Sequence, residues 1–394
     1  MKSCGNRILL LAGEESGILY ADELRKRLAG NEIRGYRDYG FETHDMAVMG
    51  FIPVLLKLRY FLRLKKTMER AIDEWKPDIV ITVDYPGMNL KLAAYAHAKG
   101  VRTVHVVCPQ VWAWKKGRIP KIEAAIDRLC CFLPFEPGLF KPGFATFVGH
   151  PLASAFADAK GTGNREQGTG DGAKTVALLP GSRKGEIEKI LPVLLEAAEK
   201  LASEFGDKVR FAIPAATPRA YSQIEKILRN SSFFVLHSSF LLLQHGGARD
   251  LLRRADCAAV ASGTATLEAA LARCPTVLVY RMGRNLWWFA RFFVKTRFAG
   301  LANIIWERCR GEKVVEDAFV NREMQDPDQP MPELLQDNCN AESVHRHLRA
   351  YLEDGPARAD AVSRLDSATS YLKTDSDPFS NIVTAVLDFK PHET

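Results

Sequence analysis

Short apolar runs ending at glycine, serine or aspartate recur along the chain, and most are followed by apolar positions at helical spacing. Residues 7–12 read as a strand, 13–17 (GEESG) as a tight loop and 19–28 as a helix. Residues 78–83 (DIVITV), 102–107, 129–133 and 146–148 read as further strands of the same half. The grammar then repeats. Runs at 175–179, 210–213, 233–236, 258–261 and 276–280 read as a second set of strands, the last of them closing the sheet. Alternating strands and helices predict an α/β protein built from two Rossmann-like halves. After a polar insertion at about 311–330, residues 331–336 (MPELLQ) read as the start of another helix, and the remainder to about residue 389 reads as helical. The Gly-rich, polar stretch 155–174 reads as an exposed connection. The boundaries expected are therefore 1–154, 155–174, 175–340 and a helical segment 341–394.

One helix stands out. Residues 48–64 (VMGFIPVLLKLRYFLRL) place 51, 54, 55, 58, 61 and 62 on one face. That fits a core helix, and it also fits a helix whose surplus apolar residues and basic partner face meet lipid. Both readings stand.

Length and charge narrow the picture. A chain of 394 residues favours two domains over one core. The net charge of +7 is unevenly spread: no acid occurs in 47–68 or in 269–306, where Lys57, Arg59, Arg63, Lys65 and Lys66, and Arg273, Arg281, Arg284, Arg291, Lys295 and Arg297, sit among large apolar residues. Basic and apolar together suit an anionic membrane surface or amphiphile better than nucleic acid. No run approaches the length of a bilayer span, and the first apolar run reads as a strand, not as a signal segment. The eight cysteines form no CxxC pair and have no histidine at zinc spacing, which predicts a reducing cytoplasm, no disulfide and no structural zinc.

Candidate chemistry falls at strand ends. Residues 175–190 (TVALLPGSRKGEIEKI) pass from strand through Gly181-Ser182-Arg183 into a helix whose Ile187, Ile190, Leu191, Leu194 and Leu195 are helically spaced. Free N–H groups at such a helix start, beside a guanidinium, suit a diphosphate; an ordinary turn with a surface arginine fits equally well. Ser262-Gly263-Thr264 repeats the pattern, with Glu268 one turn further on as a ribose ligand or as part of a capping box. Asp84 follows the DIVITV strand, as a general base or as a turn aspartate. Gly13 and Gly17 allow close backbone approach to a ligand. Trp112 reads as packing or as a wall for a sugar or acyl chain, and His150 is the one histidine in a loop after a strand end. Asp326-Pro327-Asp328 reads as surface.

Taken in order, GEESG, VMGFIPVL, DIVITVDYPGMN, PQVWAWK, LPFE, FVGHPL, LLPGSRKGEI, ASGTATLE, VLVYRM, LANII and MPELLQ resemble lipid-A-disaccharide synthase, glycosyltransferase family 19, from about residue 8 to 336. The resemblance implies a GT-B fold: two Rossmann-like domains facing across a cleft, the first on the acceptor and lipid side, the second binding the UDP-sugar, with C-terminal helices returning to the first domain or to a partner subunit. It implies inverting transfer of 2,3-diacylglucosamine from UDP to 2,3-diacylglucosamine 1-phosphate, with no metal or other cofactor, at the cytoplasmic face of the inner membrane, by a peripherally bound enzyme. By resemblance, Asp84 is the base and Asn89 orders its loop. Gly181, Ser182, Arg183, Gly263 and Thr264 take the leaving diphosphate, and Glu268 takes the ribose. Asn303, Glu333 and Gln336 line the nucleotide-sugar side. Gly13, Glu14, Ser16, Gly17, Trp112 and His150 belong to the acceptor-side loops. A homodimer with exchanged C-terminal segments is a hypothesis of the same origin. Three departures bear on the acceptor side or on length: Ile18 stands where the family usually has Asp, the segment 32–42 is short, and the 311–330 insertion is long. Another GT-B UDP-sugar enzyme, or a non-catalytic lipid- or nucleotide-binding relative, is the rival reading.

Overall fold

The computed structural model describes residues 5–42, 46, 57–114, 116–158, 172–233, 238–283, 287, 296–311 and 326–388. The chain forms two compact units, Met1–Pro151 with Thr374–Thr394, and Leu152–Lys373.

The first unit runs β1 (Arg7–Ala12), α1 (Glu15–Arg27), β2 (Glu32–Arg34), α2 (Leu58–Trp75), β3 (Ile79–Val83), α3 (Pro86–Ala98), β4 (Arg102–Val106), α4 (Ile119–Glu123), β5 (Arg128–Cys131) and β6 (Ala145–Phe147), and α5 (Pro151–Asp158) leads out of it. Its strands form a parallel sheet in the order β2-β1-β3-β4-β5-β6. Side chains alternate across the sheet, as the two-residue strand period requires. Ile8, Leu10 and Ala12 pack on one face with Leu24 and Leu28. Leu9 and Leu11 pack on the other with Leu64, Met68, Ile72 and Leu92 from α2 and α3.

The second unit contains β7 (Lys174–Leu179), α6 (Lys184–Phe205), β8 (Val209–Ala215), α7 (Pro218–Arg229), β9 (Leu241–His245), α8 (Ala248–Arg254), β10 (Cys257–Ala261), α9 (Thr264–Leu271), β11 (Thr276–Tyr280), α10 (Leu301–Cys309), β12 (Glu333–Leu335), α11 (Ala341–Leu352) and α12 (Pro356–Ser370). The parallel sheet is ordered β12-β11-β10-β7-β8-β9. Val176 and Leu178 pack with Leu191, Leu194, Val344 and Leu348 on one face. Ala177 and Leu179 meet Leu251, Leu252 and Ala269 on the other.

The C-terminal helices divide between the units. α11 and α12 cover the second sheet, whereas α13 (Pro378–Leu387) buries Ile382 and Val386 in the first unit's core. The Arg27–Asp377 ion pair (2.7 Å) and the bond from Asn381 Nδ2 to the Val148 carbonyl (3.0 Å) fasten α13 there.

Several expectations change. Of the run 233–236, Phe233 is helical and 234–236 lie outside the described residues; the edge strand among the described residues is β9. Residues 331–336 do not start a helix. Glu333–Leu335 pair in parallel with Leu278–Tyr280, so β12, not β11, closes the sheet. The pairing wins because it buries Leu334 and Leu335 at the sheet edge and lets the Leu278 N–H reach the Pro332 carbonyl. Asp326 is not a free surface carboxylate, since it is half-buried between Arg297 (3.3 Å) and Arg310 (3.4 Å). The first part of the 48–64 run lies outside the described residues, and the helix described there is α2, beginning at Leu58. No described helix is long and apolar enough to cross a membrane.

Candidate active site

Each sheet reverses its direction of growth once. In the first, the chain steps from β1 outward to β2 and then returns to β3 on the other side of β1; in the second it reverses between β7 and β10. Loops leaving the carboxyl ends of the two central strands diverge at such a point and open a ligand crevice. All four loops singled out in the sequence follow these strands: GEESG after β1, DYPG after β3, PGSR after β7 and SGT after β10.

In the first unit, Asp84 and Tyr85 both adopt left-handed backbone (φ 51°), a sterically costly state for residues with side chains. The Asp84 N–H donates to the Val106 carbonyl (2.9 Å). Buried Asn89 braces the turn from beneath: its Nδ2 donates to the carbonyls of Leu11 (3.2 Å), Val83 (3.1 Å) and Asp84 (2.8 Å), while its Oδ1 accepts from the Tyr36 hydroxyl (2.6 Å). Glycine is needed where the first loop crosses this turn. A Cβ at Gly13 would lie 2.4 Å from the Tyr85 ring, and one at Gly17 would lie 3.2 Å from the Val83 carbonyl oxygen. Burial raises the pKa of the Asp84 carboxyl above its ordinary value; the Tyr85 N–H (2.8 Å) and the Ser16 hydroxyl, both donating to it, pull the other way. Burial and the Asp84 charge together raise Glu14. Two carboxyls and a hydroxyl thus share one strand-end crevice, and Asp84 is held in a fixed direction with raised basicity.

In the second unit, Gly181 (φ 102°) turns the chain out of β7 so closely that a Cβ would lie 2.6 Å from the Glu186 carboxylate. Exposed Ser182 and Arg183 precede the first turn of α6, and the Arg183 guanidinium rests on Glu186 (3.1 Å). Gly263 and Thr264 are exposed at the start of α9. These two helix starts present unpaired backbone N–H groups, the chemistry of an anion site. The N-cap of α9 is Gly263 and its third residue is Thr266, whose hydroxyl donates to the Gly263 carbonyl (2.7 Å), so Glu268 lies too far along the helix for a capping box. Its carboxylate faces Arg249 instead (3.4 Å). Gln336, at left-handed φ (51°), accepts the Met282 N–H (3.4 Å) and borders a cavity of about 520 Å³ with Arg281, Met282 and Asn340.

A family model described as lipid-A-disaccharide synthetase matches residues 8–374. The chain belongs to that family. It is 32% identical over 380 residues to a lipid-A-disaccharide synthase of Pseudomonas syringae pv. tomato, covering 91% of this chain and 93% of that one. It is 33% identical over 376 residues to the Myxococcus xanthus lipid-A-disaccharide synthase, covering 91% of each. Among solved structures, the S. aureus MnaA–UDP co-structure superposes with a TM-score of 0.56 at 12% identity, covering 98% of this chain and 99% of the other. At that identity the likeness concerns fold, and it places the two units in the GT-B class.

Several residues that the family resemblance assigned to the site have side chains committed inside the protein. Trp112 is buried, with its Nε1 on the Glu136 carboxylate (3.0 Å) and its ring edge-on to Phe135, which supports the packing alternative over the wall. His150 lies in the loop between β6 and α5, as expected, but is buried there against Phe132, and burial lowers its pKa to about 4, so it is neutral at pH 7. Glu333 accepts the N–H groups of Ala299 (2.8 Å) and Gly300 (2.9 Å) and the Asn303 amide (2.9 Å), which seats the start of α10 on β12. Asn303 also exchanges bonds with the Met331 backbone (2.9 and 3.0 Å). Asn303 and Glu333 therefore brace the start of α10 from within. Sequence reasoning missed Arg249, whose pairing with Glu268 joins two helices, and Glu186, which pairs locally with Arg183 three residues before it.

Proposed function

We propose that the chain transfers a 2,3-diacylglucosamine unit from its UDP derivative to 2,3-diacylglucosamine 1-phosphate, giving the β-1′,6-linked disaccharide 1-phosphate and UDP with inversion. The observation that carries the reading is Asp84: a raised-pKa carboxylate, pinned in strained backbone at the topological switch point of its sheet. A base with elevated pKa and fixed direction suits removal of the acceptor hydroxyl proton as that oxygen attacks the anomeric carbon. Departing UDP needs positive partners already in place. The α6 and α9 starts with Gly181, Ser182, Arg183, Gly263 and Thr264 serve there, and Glu268 takes the ribose hydroxyls. Glu14 and Ser16 act on the acceptor side beside Asp84.

The same proposal includes binding at the cytoplasmic surface of the inner membrane. Leu58 and Leu62 are exposed on α2 beside Arg59, Arg63 and Lys66, a basic-apolar face suited to anionic lipid. A homodimer would exchange the segment that carries α13, placing a partner's copy on α1.

The test is to incubate the chain with both lipid substrates and no added divalent metal, and to follow UDP and disaccharide together. One disaccharide per UDP is expected. UDP formed without disaccharide, or turnover of UDP-N-acetylglucosamine in its place, would overturn the reading.

A further inference from the structure

Outside the transfer site, Cys108, Cys131 and Glu136 bring two thiol sulfurs and a carboxylate oxygen within 4.8 Å of one another. All three residues are buried. Neither their spacing nor any metal motif announces the cluster. It arises from sheet register: β4 and β5 are parallel neighbours with Val106 opposite Cys130, so Cys131 ends one strand beside the residues that leave the other. Val107 then takes left-handed backbone (φ 77°), uncommon for a β-branched residue, and Cys108 follows it. Glu136 arrives from the tight turn after β5, closed by its own N–H on the Leu133 carbonyl (3.2 Å).

We propose that Cys108, Cys131 and Glu136 form a structural site for a thiophilic divalent cation, of which zinc and cadmium are the chemical type. In a tetrahedral zinc site the metal–sulfur bonds are about 2.3 Å, which sets neighbouring ligand atoms roughly 3.5–4 Å apart. The observed cluster needs only small side-chain adjustments to reach that spacing. The surroundings match what metal ligands require of their supports. The Trp112 Nε1–H (3.0 Å) and the Leu133 N–H (3.1 Å) donate to different oxygens of Glu136 and fix its direction, while the Cys108 thiol also donates to it, a bond that gives way to the metal when the thiol loses its proton. Binding exchanges protons without electron transfer. The two thiol protons, and the carboxyl proton where Glu136 carries one, leave to solvent as two sulfur–metal bonds and one oxygen–metal bond form; the ion sheds its hydration waters except one, which is the fourth ligand. The cation joins the loops after β4 and β5 and takes no part in glycosyl transfer.

The test uses the full chain, reduced with a phosphine and freed of metal, and titrates it with Cd²⁺ while the thiolate-to-cadmium charge-transfer absorption is followed. One equivalent per chain is expected, with a rise in thermal midpoint that Mg²⁺ does not reproduce. Cys108→Ser and Cys131→Ala should each remove the band and the rise. Trp112→Phe, which retains all three ligands, should weaken binding roughly tenfold. Circular dichroism identifies any variant that fails to fold, and Trp112→Phe then decides. Absence of the band in the reduced native chain would overturn the proposal. So would a band that survives in the Cys108→Ser, Cys131→Ala double variant, or one that disappears only in Cys309→Ala.

Discussion

The side chain of Asn89 holds the backbone of Asp84: the buried amide donates to the Asp84 carbonyl at 2.8 Å and, with the same nitrogen, reaches the carbonyls that end β1 and β3. The orientation of the proposed base is therefore set by a residue that need not touch substrate. Asn89→Ala would leave these carbonyls and the Tyr36 hydroxyl without their partner. Stability is expected to fall by about 3 kcal/mol, read as a lower urea midpoint at unchanged slope. The turnover number should fall with it, while UDP affinity stays near that of the native chain.

Gly13 supports the same turn from the other side. Because a Cβ would lie 2.4 Å from the Tyr85 ring, Gly13→Ala must displace either the loop or Tyr85. A stability loss of about 1–3 kcal/mol is expected from the overpacking. If Gly13→Ala melts and turns over like the native chain, the first loop does not pack as described.

Arg183 is exposed at the start of α6, with its guanidinium on Glu186. If it stabilises charge that develops as UDP leaves, Arg183→Ala should lower kcat roughly 10²-fold or more, with a much smaller change in the KM for the donor. A change confined to that KM would reduce Arg183 to ground-state binding.

Burial lowers His150 to about 4 and His105 to about 3. In the unfolded chain both titrate near 6.5. Between those values the unfolded state binds protons that the folded state refuses. Their contribution is therefore complete above about pH 6.5 and is lost as pH falls toward 4. Replacing His150 with Gln should flatten the acid limb of a stability profile by on the order of 3 kcal/mol between pH 7 and pH 4. An unchanged limb would mean that His150 is not buried neutral.

Much of this was legible in the sequence. The central strands announce themselves because they are buried along their whole length, as the runs 79–83 and 257–261 show. The loops at their carboxyl ends stand out because glycine, serine and aspartate interrupt the apolar runs there. Edges were harder. β9 is half-exposed, and the FLLL run at its start is no more apolar than the FFVL run upstream, so sequence alone does not choose between them. β12 is three residues long and is defined by pairing with β11, so its LL dipeptide passed for a helix start. Trp112, His150, Asn303 and Glu333 were visible as unusual residues, yet their burial and partners depend on chain segments far away in sequence. Cys108 and Cys131 became neighbours only through strand register.

The central claim is that Asp84 takes the acceptor proton, and Asp84→Asn tests it most directly. The substitution keeps the size of the side chain and removes its basicity. Turnover should fall roughly 10²–10⁴-fold, while UDP binding measured by calorimetry stays within a few-fold of the native chain. Turnover near the native level, or loss of UDP binding in place of turnover, would contradict the account.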